Sequence, residues 1–170
     1  PEYPNSVKII PTGKIRPAEK RNIGIREASN ELIAFVDDDA APLEGWLEHA
    51  IPYFSDASVV GVGGPALTPP SDSFFAAAGG RVYANFFVSG AYRRRYMPVR
   101  VCNDDDLPSC NLFVRKSAVE AVGGYDVRYW PGEDTQLCMA LTAEKGKRIV
   151  YDPMVQVEHH RRALFLPHLR

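Results

Sequence analysis

The chain has 170 residues, 45% of them apolar and 24% charged, with a formal net charge of −1. That length suits one domain with a sizeable core, and the near-neutral balance gives none of the basic footprint of a nucleic-acid-binding protein. Three cysteines, Cys102, Cys110 and Cys138, lack metal-ligand spacing and the even count of a disulfide framework, so free thiols in a reducing, cytoplasmic setting are expected.

In chain order, residues 7–10 read as an edge strand stopped by Pro11 and Gly13. Pro17 suits the first turn of a helix over residues 18–29, because its missing N–H is harmless there. Residues 31–36 form a short apolar strand that ends in Asp37, Asp38 and Asp39. The spacing of Leu43, Trp46, Leu47, Ala50, Ile51 and Phe54 predicts an amphipathic helix over 42–54, bent or ended near Pro52. A strand over 58–62 closes at Gly63 and Gly64. Residues 74–96 read as an aromatic, helical or irregular insertion ending in Arg93, Arg94 and Arg95.

Strands follow at 99–102 and 110–114, with a loop over 104–108 between them. Ser117 and Glu120 carry a capping-box spacing for a helix over 117–122. A helix over 133–145 and strands over 148–151 and 155–157 lead to His159, His160, Arg161 and Arg162. Strands alternating with helices indicate an α/β sheet. No apolar run approaches the ~18 residues of a membrane span, while Leu164, Phe165 and Leu166 allow a peripheral contact at the inner face of a membrane.

Three constellations carry chemistry. Asp37-Asp38-Asp39 is either a solvated acidic turn capping the next helix or, because it ends a buried strand where α/β sheets bind ligands, a group of carboxylates that calls for a hard cation such as Mn²⁺ or Mg²⁺. A second triplet, Asp104-Asp105-Asp106, lacks that setting and reads as a loop. Glu133 and Asp134 follow Trp130-Pro131-Gly132 at a helix start; they either stabilise the helix dipole or supply a general base. The run from His159 to Arg162 is either a basic surface turn or a site in which an imidazole completes a metal centre and the arginines clamp a diphosphate; His159 and His160 point to opposite faces of an extended segment, so only one of them would ligate. Together they form an apparatus for group transfer from a nucleotide-activated donor.

The run from Lys20-Arg21-Asn22-x-Gly24 through ELIAFVDDDAAPLEGWL to VVGVGG resembles family 2 glycosyltransferases of the GT-A fold. So do SCNLFVRKSAVEAVGGYD, GED, GKRIVYDP and the His-His-Arg-Arg run, all in the family's order. The resemblance implies a Rossmann-related mixed sheet flanked by helices. It also implies a metal-dependent, inverting transfer of sugar from a nucleoside-diphosphate donor, UDP-sugar being the family's common choice. The acceptor would be a hydroxyl of a glycan, lipid or other molecule.

Position by position, the triplet matches the family's Asp-x-Asp motif. Asp39 is the implied metal ligand, and Asp37 or Asp38 lies near the donor ribose or the metal. Asp134 is the implied catalytic base, with Glu133 as the alternative. His159 or His160 completes the metal site. Arg161 and Arg162 approach the diphosphate, Arg21 and Asn22 the nucleotide, and Asn111 and Trp130 the donor sugar or acceptor.

The family's first strand–helix–strand portion, which grips the nucleoside, is missing. Residues 1–170 are therefore expected to be a single, partial catalytic domain, the C-terminal part of a longer one. Its uncovered sheet edge invites pairing with a second copy. The Gln-x-x-Arg-Trp motif of processive synthases is absent. The alternative is a non-catalytic GT-A-like binding or assembly module that uses residues 74–96 as an aromatic surface. A nucleotidyltransferase would show a Gly-rich basic phosphate loop, which is not found.

Overall fold

The computed structural model describes residues 7–161; Arg162 and residues 164–166 lie outside them. The main sheet has five strands in the order β1 (Leu32–Phe35), β6 (Leu112–Arg115), β3 (Val59–Gly63), β7 (Arg148–Tyr151), β5 (Cys102–Asn103). β3 and β7 run parallel, and the other pairings are antiparallel. A smaller sheet sets β8 (Val157–His159) between β2 (Ala40–Pro42) and β4 (Ala66–Leu67). This is the mixed, helix-flanked α/β sheet expected from the sequence.

Side chains alternate across the strands and build two cores. Leu112, Val114, Ile149 and Tyr151 face one way, packing with Ala18 and Ile25 of α1 (Pro17–Glu27), Val119 of α5 (Lys116–Ala121) and Leu137, Cys138 and Leu141 of α6 (Glu133–Thr142). Phe113, Val150, Val59 and Val62 face the other way, against Ala50 of α2 (Trp46–Ala50) and Phe54. Burying an apolar side chain of this size stabilises the fold by roughly 1.5–3 kcal/mol.

Several elements differ from the periodicity, each for a local reason. Residues 7–10 form no strand; they lie exposed, tied to α1 by the Lys8–Glu27 ion pair. The helix expected over 42–54 is divided. Pro42 ends β2, Gly45 adopts a left-handed conformation (φ 80°) before α2, and the chain tightens into a 3-10 turn over Ile51–Ser55, where Pro52 cannot donate to an α-helical ladder. Ser117 lies inside α5 rather than capping it. Its hydroxyl donates to Glu31, whose backbone oxygen also accepts from Lys116 N at 2.7 Å. A residue beside β1 thus caps α5, and Glu120 pairs with Lys116 instead.

The insertion is helical: α3 (Phe74–Ala84), α4 (Phe86–Ser89) and a 3-10 segment, Gly90–Arg95. The second aspartate triplet is a loop, as expected, but it is not idle. Asp104 is buried and pairs with Arg94, while Asp106 pairs with Arg95 and accepts from Thr135 Oγ1 at 2.6 Å. These contacts fasten the insertion to the body of the domain.

A Cβ on Gly64 would sit 2.1 Å from Val155 O and 2.4 Å from Asp152 O, both backbone atoms that cannot yield cheaply. Gly64→Ala is expected to destabilise the fold by about 1–3 kcal/mol in urea unfolding. Burial also pushes the Cys110 and Cys138 thiols up to about 12, whereas Cys102 is only partly covered. Since the thiolate is the reactive form, a disulfide reagent at pH 8 is expected to titrate one thiol rapidly in the native chain and three in denaturant.

Candidate active site

A cleft of about 970 Å³ opens where β1 ends, a size typical of small-molecule sites. Val36, Asp37, Asp38 and Asp39 form one wall. Pro17, Lys20 and Arg21 of α1 form a second. Residues 130–135 form a third, and His159, His160 and Arg161 a fourth. Tyr83, Arg95 and Tyr96 of the insertion close the rim; the two tyrosine rings stack with centroids 5.1 Å apart.

The triplet is held by a tight turn in which Ala40 N donates to Asp37 O at 3.1 Å. Ala40 then pairs with His159 across the β2–β8 ladder. That register sets His159 Nε2 2.9 Å from Asp39 Oδ1. One ligand atom each from Asp37, Asp39 and His159 lie within 4.8 Å of one another. Asp38 is exposed and outside this group. His160 turns the other way and bonds Asp72, which also accepts from Arg161 N at 3.0 Å.

Glu133 and Asp134 begin α6, just after Gly132 in a left-handed conformation (φ 115°). Arg21 reaches both, Glu133 at 3.1 Å and Asp134 at 3.4 Å, and its other nitrogen meets Asp37 at 3.2 Å. Burial alone would lower the pKa of this guanidinium, but Asp134, Tyr125 and Asp37 around it outweigh that and raise it. Arg21 therefore spends its donors on carboxylates. It joins the two acidic groups to each other.

Asp134 has further partners that sequence reasoning missed. Ser109 donates to it through its hydroxyl and, at 3.2 Å, through its backbone N–H. Ser109 also bonds the Tyr125 hydroxyl, and burial pushes that phenol well above its ordinary value. Nothing in the local pattern around Ser109 or Tyr125 signals this, because the three residues meet only through the fold.

Arg161 lies over the Tyr96 ring at 4.9 Å, bonds Ala66 O and approaches His159 Nδ1 at 3.3 Å. Burial lowers its pKa from the ordinary value, yet an arginine stays charged. Among the described residues no carboxylate pairs with its guanidinium. Trp130 lines the cleft and is half exposed.

Two expected site residues are placed elsewhere. Asn111 is fully buried and away from the cleft lining; its amide donates to Val155 O (2.7 Å) and Pro65 O (3.3 Å) and accepts from Trp46 Nε1 (2.8 Å). Those bonds hold irregular chain around β4 and β8 and engage both amide hydrogens of Asn111. Asn22 exchanges two 2.8 Å bonds with the backbone of Tyr125. It clips the Gly123-Gly124 turn to α1 and does not line the cleft. Arg162 lies outside the described residues.

A sequence model of glycosyl transferase family 2 matches residues 2–123. The chain belongs to this family. This family 2 domain is 33% identical over 149 residues to the pre-mycofactocin glycosyltransferase of Mycobacterium tuberculosis, a match covering 86% of the chain and 30% of that protein. It is 30% identical over 115 residues to glycosyltransferase AglE of Haloferax volcanii, covering 67% of the chain and 34% of the relative. The chain thus spans about a third of the length of these curated relatives. Its fold is shared with the mannosyltransferase PcManGT of Pyrobaculum calidifontis, solved with GDP-Man and Mn²⁺. The TM-score is 0.57 at 18% identity, over 91% of the chain and 38% of that structure.

Removing the bridging cation tests its structural weight. Arg21→Met leaves Asp37, Glu133 and Asp134 facing one another uncompensated. Because Asp37 is about a third exposed, the expected loss is on the order of 2–3 kcal/mol, below the range for a fully buried pair. Urea unfolding at pH 7 measures it.

Proposed function

We propose that this domain transfers a sugar from a nucleoside-diphosphate donor to an acceptor hydroxyl, with inversion at the anomeric carbon and a divalent cation held by Asp37, Asp39 and His159. The observation that carries this reading is that those three ligand atoms share one cleft with Asp134, with Arg21 linking Asp37 to Asp134. Two carboxylate oxygens and one imidazole nitrogen suit Mn²⁺ better than an all-oxygen ion such as Mg²⁺.

A cation bound there supplies positive charge at the leaving diphosphate. Arg161, charged and without a carboxylate partner among the described residues, faces the same phosphates and orients them. Asp134 accepts the proton of the acceptor hydroxyl as that oxygen bonds to the anomeric carbon. The bond from that carbon to the diphosphate oxygen breaks with its electron pair, and the nucleoside diphosphate departs. Direct attack from the face opposite the leaving group inverts the centre. Ser109 and Arg21 hold Asp134 in one orientation during this step. Trp130, half exposed in the cleft, offers an apolar face for a sugar ring.

UDP is the donor nucleotide expected from the family resemblance. The related mannosyltransferase was solved with GDP-Man, so both bases belong in the test. In the complete protein, Asp39→Ala and His159→Ala are each expected to weaken Mn²⁺-dependent binding of UDP or GDP at least about ten-fold by calorimetry. His160→Ala should leave it within about two-fold, because that ring is turned to Asp72. Asp134→Asn is expected to lower kcat about 10²–10⁴-fold with nucleotide affinity retained, and NMR of the product should show an inverted anomeric centre. An unchanged rate for Asp134→Asn would remove it as the base.

A further inference from the structure

The insertion between β4 and β5 presents a surface that the sugar-transfer reading does not use. One side of α3 is pinned to the body: Ala76, Gly79 and Gly80 are buried, and a Cβ on Gly80 would lie 2.0 Å from Thr68 Oγ1. Helix and body approach closely there, so the opposite side must face outward. Beyond α3, α4 and the 3-10 segment carry large apolar groups in the open. Phe86, Phe87 and Val88 of α4 and Tyr92 of the 3-10 segment are 57%, 95%, 61% and 57% exposed, and these two short elements pack on each other and on α3, with the Phe86 and Phe87 rings edge to face. Single exposed apolar residues are ordinary, but a grouped set this size marks an interaction site.

The charges carried by the insertion itself have one sign. Residues 74–103 contain five arginines and no aspartate or glutamate. Arg94 and Arg95 are engaged by Asp104 and Asp106. Among the described residues Arg81, Arg93 and Arg100 pair with no carboxylate, and Arg93 lies over the Phe86 ring at 5.2 Å.

We infer that the tip formed by α4 and its flanking turns docks the domain onto an anionic lipid surface, with Phe86, Phe87 and Val88 entering the interface and Arg81 and Arg93 meeting the headgroups. Apolar groups ringed by unpaired arginines are the chemistry of an interfacial anchor. A second copy of the chain fits less well, since a two-fold contact would set these arginines against their own kind. Tyr83 and Tyr96 of the same insertion line the cleft, so docking would hold the cleft beside the lipid surface. The inference rests on this surface and not on the reaction chemistry.

Co-sedimentation of the full chain with vesicles tests it. The expected result is binding to phosphatidylglycerol vesicles, weakened by added salt, and at least about five-fold weaker binding to phosphatidylcholine vesicles. Phe87→Ser, at a position too exposed to matter for folding, should reduce binding about ten-fold. Arg81→Gln should reduce it about five-fold, and Asp39→Ala should leave it unchanged. Equal binding to both lipids, or full binding by Phe87→Ser, overturns the inference. So does a chain that ignores vesicles but forms a dimer lost in Phe87→Ser by equilibrium sedimentation, which would give the patch to a second copy.

Discussion

Like charge is the constraint around which the cleft is built. Asp37, Asp38, Asp39, Glu133 and Asp134 all line one concavity, and so many carboxylates in a partly desolvated space repel one another. Arg21 makes the arrangement tolerable by touching three of them. Its own position depends on α1, which is seated by Ala18 and Ile25 in the core. Asn22, its neighbour, fastens that helix to the turn before Asp126 through Tyr125. Arg21 thus acts electrostatically at the cleft wall, and Asn22 is a backbone clip outside the lining.

Compensation by Arg21 is incomplete, and the remainder has a direction. Asp39 is the most exposed of the ion-paired acids in the cleft, and its described partner is an imidazole rather than a permanent cation. Glu133 and Asp134 are engaged by Arg21 and Ser109, whereas the acidic end near His159 is open. A hard divalent cation would complete the balance there, and Arg161, beside His159, has no carboxylate partner among the described residues. Within one cleft the protein thus separates a satisfied acidic pole from an unsatisfied one. On the proposed reading, that separation lets Asp134 accept a proton while Asp37 and Asp39 act as ligands.

The insertion changes the role of the second aspartate triplet. Asp104 and Asp106 take up Arg94 and Arg95, which ties residues 90–95 against α6 and the approach to β6. Tyr83 and Tyr96 are thereby fixed over the cleft, while the phenylalanines beyond them remain outside. One segment thus contributes both to the cleft wall and to the outer surface.

Much of this was legible in the chain. The sheet strands at 32–35, 59–63, 112–115 and 148–151 are short, nearly continuous apolar runs, and the central ones are buried on both faces, while 32–35 at the sheet edge is only partly covered. Pro17 and Pro52 announced a helix start and a helix end through the loss of an N–H. The strand-end position of Asp37-Asp38-Asp39 and the opposite facing of His159 and His160 followed from backbone geometry alone. Contacts between distant residues could not be read this way. Ser109 meets Asp134 only because the turn before β6 packs under α6. Glu31 caps α5 across 86 residues, displacing a local Ser117–Glu120 box. Asn111 was drawn into the backbone between β4 and β8 because irregular chain buried there needs hydrogen bonds, which is a demand of packing and not of sequence spacing. The sequence determined which residues could ligate, accept protons or stack; the β2–β8 register and the reach of Arg21 decided which of them share a site, because those distances exist only once the sheets have formed.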